Sequence, residues 1–308
     1  MNSKILNKNS LKWFLVYSFI LEKSKELDKQ IPEIYRQEMK WISIWAWVSY
    51  NDILLINVYD DLLNLKWCSS FIVWKSEKSD YLIHARNLDY PIDFLASKKV
   101  IFNYLDEKFI SVSFPWYIWA LSATNSNWIT ISTHTSSSKY KNIIWLPIWI
   151  IYRKIIQESK NILEVENIIK NSSRTISNNL AVSSLNENKM IVFELTSQNY
   201  ISRIWEKYIV STNHFESKEF TSSISKNSKW RYDYLENSFI KNNKLDSEKI
   251  KQIMSFYDWN SESWSSVANK WTVQSVIFVP EKRILFIADW LKTPVTTSWY
   301  LEYNYNIN

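Results

Sequence analysis

The chain has 308 residues, 46% of them hydrophobic, and a formal net charge of +6. That length carries one large domain or two small ones, and the hydrophobic fraction suits a buried core. The lysines are scattered rather than clustered, which reads as a solvated surface and argues against nucleic acid as a partner. A single cysteine excludes an intrachain disulfide framework and any Cys-rich metal site.

Residues 13–21, WFLVYSFIL, follow Lys4, Lys8 and Lys12 but are too short to span a bilayer. No small-residue cleavage site follows them. They are read as an amphipathic N-terminal helix, with no integral membrane span and a cytoplasmic location. Residues 11–40 are expected to form two helices broken at Pro32, and 51–65 a third behind an Asn cap. A hairpin follows, 68–74 and 80–90 around the turn-like KSEKS. Strands are expected at 99–105, 109–114, 117–123 and 128–134, then helices at 146–158 and 162–171. Strands return at 178–185, 189–196, 199–204 and 206–211, helices at 230–240 and 246–256. The chain closes on strands at 272–280, 282–289 and 299–304. Adjacent hairpins imply antiparallel sheets, and the helices must cover them. The pattern predicts an α+β fold, a four-layer α/β/β/α sandwich of two antiparallel sheets between helices.

Glycine is absent and tryptophan numbers 18. Average usage would give roughly twenty glycines, and glycine alone serves freely at positive φ. Several tryptophans stand where turns want glycine: Trp128 after Asn127, Trp230 after Lys229, Trp259 after Asp258, and Trp271 after Asn269-Lys270. The chain is also rich in Asn, Lys, Ile and Ser, the mark of an AT-rich gene. The expectation is that most Trp positions are glycines encoded by UGA, a codon that some bacterial codes read as Gly and others as Trp. Trp13, inside an apolar run, is the best candidate for an exception. The alternative is a chain that is truly Trp-rich.

Cys68 opens a strand. Taken alone it reads as a small buried hydrophobe. Arg86 and Asp89 follow in HARNLDY, where the hairpin returns its second strand to the start of its first. A thiol, a guanidinium and a carboxylate then converge at one edge. His84, His134 and His214 show no metal-ligand spacing and are assigned ordinary structural roles. A cysteine without a histidine base is activated by its own α-amine if the chain is cut before it. That amine has a pKa near 8, close enough to neutrality to act as a base. With Trp67 read as glycine, the thiol attacks the preceding carbonyl unobstructed.

GCSSFIV followed by HARNLDYP, with the glycine restored, resembles the N-terminal-nucleophile cysteine hydrolases related to acid ceramidase and N-acylethanolamine acid amidase. The penicillin acyltransferase and bile-salt hydrolase groups are more distant relatives. The likeness extends over roughly residues 32–304 and improves wherever a Trp is read as Gly: EMKWISIWAW becomes EMKGISIGAG. VSTNHF and TVQSVIFVPEKRILFIADW fit the acyltransferase-like branch. Ala85 departs from the family's usual glycine, and the hairpin is slightly longer.

The resemblance implies that cleavage between Trp67 and Cys68 separates a helical segment, 1–67, from the catalytic domain, 68–308. Cys68 is then the new N-terminus, nucleophile and base. Asp89 orients its amine, Arg86 stabilises the thiol anion, Asn213 donates to the oxyanion, and Arg231 braces the nucleophile. The implied activity is hydrolysis of a non-peptide acyl amide through a thioester. The alternatives are transfer of the acyl group to an amine, and an uncleaved homologue that only binds an acyl ligand. No cofactor or metal is implied. The expected partner is a small acyl amide, and the fragments are expected to stay associated.

Overall fold

Pro32 divides the first helical stretch, because its ring fixes φ and removes a donor. The computed structural model describes residues 11–63, 67–136, 142, 145–220, 224–258 and 266–307. α1 (Leu11–Asp28) ends before Pro32, and α2 (Glu33–Ala46) starts directly after it. α3 (Tyr50–Leu63) leads to the sheets. Lys4, Lys8, Trp259 and Trp264 lie outside the described residues, as does the side chain of Trp13.

Thirteen strands among the described residues form two antiparallel sheets. The first holds β1 (Trp67–Val73), β2 (Ile83–Asp89), β10 (Tyr208–Ser211), β11 (Thr272–Val279), β12 (Ile284–Ala288) and β13 (Tyr300–Asn304), in the order β10-β1-β2-β11-β12-β13. The second runs in chain order: β3 (Val100–Tyr104), β4 (Phe109–Ser113), β5 (Ser122–Asn125), β6 (Ile129–Thr135), β7 (Asn178–Ser184), β8 (Lys189–Leu195) and β9 (Tyr200–Trp205). Ile72 and Ile209 meet Ala181 and Val192 between the sheets, and Val276 and Phe278 meet Ile110 and Val112. α6 (Lys226–Lys241) and α7 (Ser247–Met254) cover the outer face of the first sheet, where Phe71 and Ile277 pack on Leu235 and Ile250. α4 (Ile148–Glu158) and α5 (Ile162–Lys170) cover the second, Ile151 and Val165 joining Ile131 and Leu180 in one core. This is the expected four-layer α/β/β/α sandwich.

The N-terminal helices join the same core through Leu27, Met39, Ile53 and Val58. Asp61 of α3 accepts from the backbone N–H of Ile148 at 2.9 Å. Pro147 offers α4 no side-chain cap, so a carboxylate from α3 satisfies that helix N-terminus. Buried Arg153 of α4 pairs with Glu38 of α2 at 3.4 Å and lies over the Tyr104 ring.

Two boundaries differ most from expectation. α6 starts at 226 rather than 230, because Ser225 caps it by accepting from the Ser228 N–H. The strand expected at 117–123 is displaced to β5. Asn57 of α3 accepts from the Ile118 N–H at 3.0 Å and donates to the Trp116 carbonyl at 2.8 Å. A helix side chain therefore takes the hydrogen bonds that a neighbouring strand would need.

Six described residues have positive φ, and three are Trp: Trp47, Trp116 and Trp128. Trp47 ends α2 in the left-handed conformation, where its N–H and that of Val48 close on the last turn. Trp116 follows Pro115 in a turn closed by the Tyr117 N–H on the Phe114 carbonyl, the place of glycine in a type II turn. Trp128 ends the β5–β6 hairpin turn, closed by its N–H on the Asn125 carbonyl. Trp47 is 94% exposed, so packing does not offset its backbone cost. Trp47→Gly is expected to stabilise the fold by about 1 kcal/mol. Chemical denaturation checks it, and an unchanged midpoint contradicts the reading of this position as strained.

Candidate active site

Cys68 is the second residue of β1, an interior strand, and is 1% exposed. β2 runs antiparallel beside it and sets Asp89 opposite Trp67, Leu88 opposite Cys68 and Arg86 opposite Ser70. Side chains alternate across a strand, so Arg86 shares the inter-sheet face with Cys68 and Ser70. Its Nη2 lies 3.2 Å from the Cys68 Sγ and 3.1 Å from the Thr133 carbonyl. Its Nη1 donates to Ser122 and to Gln274. Besides the sulfur, its partners are a hydroxyl, a carboxamide and a backbone carbonyl. The hairpin thus brings thiol and guanidinium together as their spacing anticipates.

The remaining expected residues arrive from distant parts of the chain. β10 pairs with the other edge of β1, Ser211 opposite Ser70, and the turn after β10 carries Asn213. The Cys68 backbone N–H donates to Asn213 Oδ1 at 2.8 Å. Asn213 Nδ2 donates to the Thr135 carbonyl at 2.7 Å. α6 lies across the outer face and inserts Arg231. Its Nη1 donates to the Cys68 carbonyl and to Ser69 Oγ, both at 2.8 Å, and its Nη2 donates to Asn213 Oδ1 at 2.9 Å. The Asp89 carboxylate is 3.7 Å from Arg231 and accepts from Asn269 and Thr272, both at 2.6 Å. Cys68, Arg86, Asp89, Asn213 and Arg231 therefore form one connected cluster around the bond between Trp67 and Cys68.

Burial pushes the Asp89 carboxyl up, while Arg231, its two hydrogen bonds and Arg86 pull it down. Burial also lowers Arg231, against Asp89 and Cys68. Sequence reading missed Ser69, Asn269 and Thr272. Ser69 stands in the motif, but only its contact with α6 gives it a partner. Asn269 and Thr272 flank the Trp271 turn, and their reach to Asp89 depends on β11 pairing with β2. Among the described residues no helix is long and apolar enough to cross a membrane.

Three comparisons bear on this cluster. The family profile for acyl-coenzyme A:6-aminopenicillanic acid acyl-transferase matches residues 74–273, roughly two thirds of the chain, starting just after β1. A search of curated proteins returns no match. Among solved structures, an N-acylethanolamine-hydrolyzing acid amidase ortholog from Caenorhabditis elegans aligns with a TM-score of 0.52 at 15% identity, covering 69% of this chain and 93% of that one. A conjugated bile acid hydrolase from Clostridium perfringens aligns with a TM-score of 0.46 at 11% identity, covering 78% and 97%.

The buried histidines make the fold sensitive to acid. Burial, then Arg86, holds His84 down at about 3. Burial, then Arg86, also holds His134 well below the usual range, against a hydrogen bond to the Asn179 carbonyl. Unfolded, both return to about 6.5. Between about 3 and 6.5 the unfolded chain binds more protons, so stability rises with pH there and is flat above. Asp89, raised by burial, acts in the opposite sense and offsets part of the loss. The melting temperature is expected to be highest above about pH 6.5 and to fall as pH drops toward 3. A constant melting temperature across that window contradicts two neutral buried imidazoles.

Proposed function

The chain belongs to the acyl-coenzyme A:6-aminopenicillanic acid acyl-transferase family of N-terminal-nucleophile enzymes, and on that premise we propose that it cuts itself before Cys68 and then cleaves an acyl amide. One observation carries the reading: the Cys68 thiol touches Arg86, while Asn213 and Arg231 hold the amide N–H and carbonyl of the same residue.

In maturation, Sγ attacks the Trp67 carbonyl carbon and the C–N bond to Cys68 breaks. The thiol proton ends on the departing nitrogen, and a thioester joins residue 67 to Sγ. Water hydrolyses that thioester, leaving a carboxylate on 67 and a free thiol and α-amine on Cys68. Arg86 favours the anionic sulfur. Asn213 Oδ1 keeps the nitrogen in place before and after the cut. One of its two amide hydrogens is held by Thr135, and the other serves the oxyanion. Asp89 acts through Arg231 and the backbone opposite Trp67.

In turnover, the α-amine takes the thiol proton and passes it to the leaving amine as the acyl group moves to sulfur. Water then releases the acid. An acceptor amine in place of water makes the same site an acyltransferase. The helical segment 1–67 stays docked on 68–308 through Asp61, Arg153 and the shared apolar core.

We also infer that Trp67 and most other tryptophans are glycines in the native protein. Support comes from the three positive-φ positions, each a place where glycine is the ordinary residue. Mass spectrometry of a native peptide spanning residue 67 tests this, and an intact Trp there overturns it.

A denaturing gel tests the main reading, using the chain with Trp67→Gly. Two fragments are expected, and Cys68→Ala is expected to leave one intact band. Fragments from Cys68→Ala would sink the proposal, and so would an intact wild type. Asn213→Ala is expected to slow acyl transfer about 100-fold. Turnover with and without a competing amine separates hydrolase from transferase.

A further inference from the structure

The two histidines of the sheet interior belong to one line of hydrogen bonds. His134 Nδ1 lies 3.3 Å from the Asn179 carbonyl, and its Nε2 lies 2.7 Å from Ser70 Oγ. Ser70 Oγ is 2.6 Å from Ser132 Oγ, which is 2.8 Å from His84 Nε2. His84 Nδ1 ends the line 3.0 Å from Ser183 Oγ. All five side chains are buried.

The direction of every bond follows from one end. A carbonyl only accepts, so His134 Nδ1 carries its hydrogen. A neutral ring has one N–H, so His134 Nε2 accepts, and Ser70 donates to it. The Ser70 hydrogen is then engaged, so Ser132 donates to Ser70. His84 Nε2 donates to Ser132, and Ser183 donates to His84 Nδ1. The neutral line has one consistent arrangement, with opposite tautomers on the two rings. The charged groups facing it are Arg86 of β2, toward both rings, and Arg231 of α6, toward His134. A protonated imidazole there adds a buried cation beside guanidiniums.

The line joins β1 and β2 to β6 and β7 beside the thiol. Ser70 stands two residues from Cys68 and opposite Arg86. Thr133, whose carbonyl accepts from Arg86, lies between Ser132 and His134. Both flanks of that carbonyl are therefore fixed by the line. We propose that Ser183, His84, Ser132, Ser70 and His134 form a positioning network, which holds the Thr133 carbonyl and the Arg86 guanidinium in the place that contacts Cys68. This rests on the reading of Cys68 as nucleophile.

Nitrogen NMR of the imidazoles, in the full chain with Trp67→Gly, tests the line itself. His84 is expected as the Nε2–H tautomer and His134 as Nδ1–H, neither titrating in the usual imidazole range. Equal tautomers, or a ring titrating near about 6.5, overturn the proposal. Ser132→Ala cuts the line with a small change of shape. It is expected to slow self-cleavage about tenfold, as misplaced reacting groups do. It is also expected to raise the pH at which iodoacetamide alkylates the processed thiol, and Ser132→Thr restores both. Wild-type cleavage and alkylation in Ser132→Ala, beside an inert Cys68→Ala, overturn the network and spare the nucleophile. Cleavage in Cys68→Ala overturns the nucleophile instead. If Ser132→Ala does not fold, Ser70→Ala, which cuts the line between His134 and Ser132, serves, with His84 expected to lose its single tautomer.

Discussion

Two guanidiniums and one carboxylate are buried around a single thiol, and that imbalance of charge organises the site. Asp89 sits beside Arg231 and is held by Asn269 and Thr272. Arg86 has the thiol and otherwise neutral oxygens as its partners. A buried charge without a counterion is costly. In the proposed reading a thiolate at Cys68 is the anion that completes the balance, and it is Arg86, not burial, that favours it. His84 and His134, held neutral, add no third positive charge to this region.

The same layers explain how a bond deep in the protein is gripped from several directions. β2 supplies Arg86 and Asp89 because its register with β1 places them near the strand's first residues. β10 delivers Asn213 from the opposite side, and α6 delivers Arg231 from the outer layer. No one element carries the site. A shift of one residue in β1 would turn Cys68 to the face of α6 and away from Arg86. The inter-sheet hydrogen bonds of Ser70 oppose such a shift.

How much of this was legible in the sequence depends on range. The hairpin from Cys68 to Asp89 is local, so its spacing was enough to expect thiol, guanidinium and carboxylate at one edge, with alternation placing Arg86 on the face of Cys68 and Asp89 on the other. The helix–strand order likewise gave the layers. Asn213 and Arg231 carry no local signal and entered only through resemblance to known enzymes. Ser69, Asn269 and Thr272 gain their meaning from contacts across layers, as do Ser70, Ser132 and Ser183. The misplaced strand at 117–123 has a different cause. Pro115-Trp116 hides a turn that Pro-Gly would have announced, and Asn57 of α3 then takes the backbone.

Trp119 and Trp149 belong to the core cluster that also holds Cys68. Their rings stack at 5.3 Å, fully buried, with Trp149 edge-on to Tyr152. Burial, more than any charge, raises the Tyr152 hydroxyl, against Arg174, with Asp61 and Cys68 adding to it. Large rings fill interior volume that small residues leave empty, and interiors tolerate little void without a ligand. Under the proposed reading of both as glycine, the stack would give way to an apolar space within that core, a shape suited to an acyl chain. The Cys68 cluster does not depend on those rings, because its contacts run through Arg86, Asn213, Arg231 and the strand backbones. The proposed recoding would therefore alter the room in this core while leaving those contacts in place.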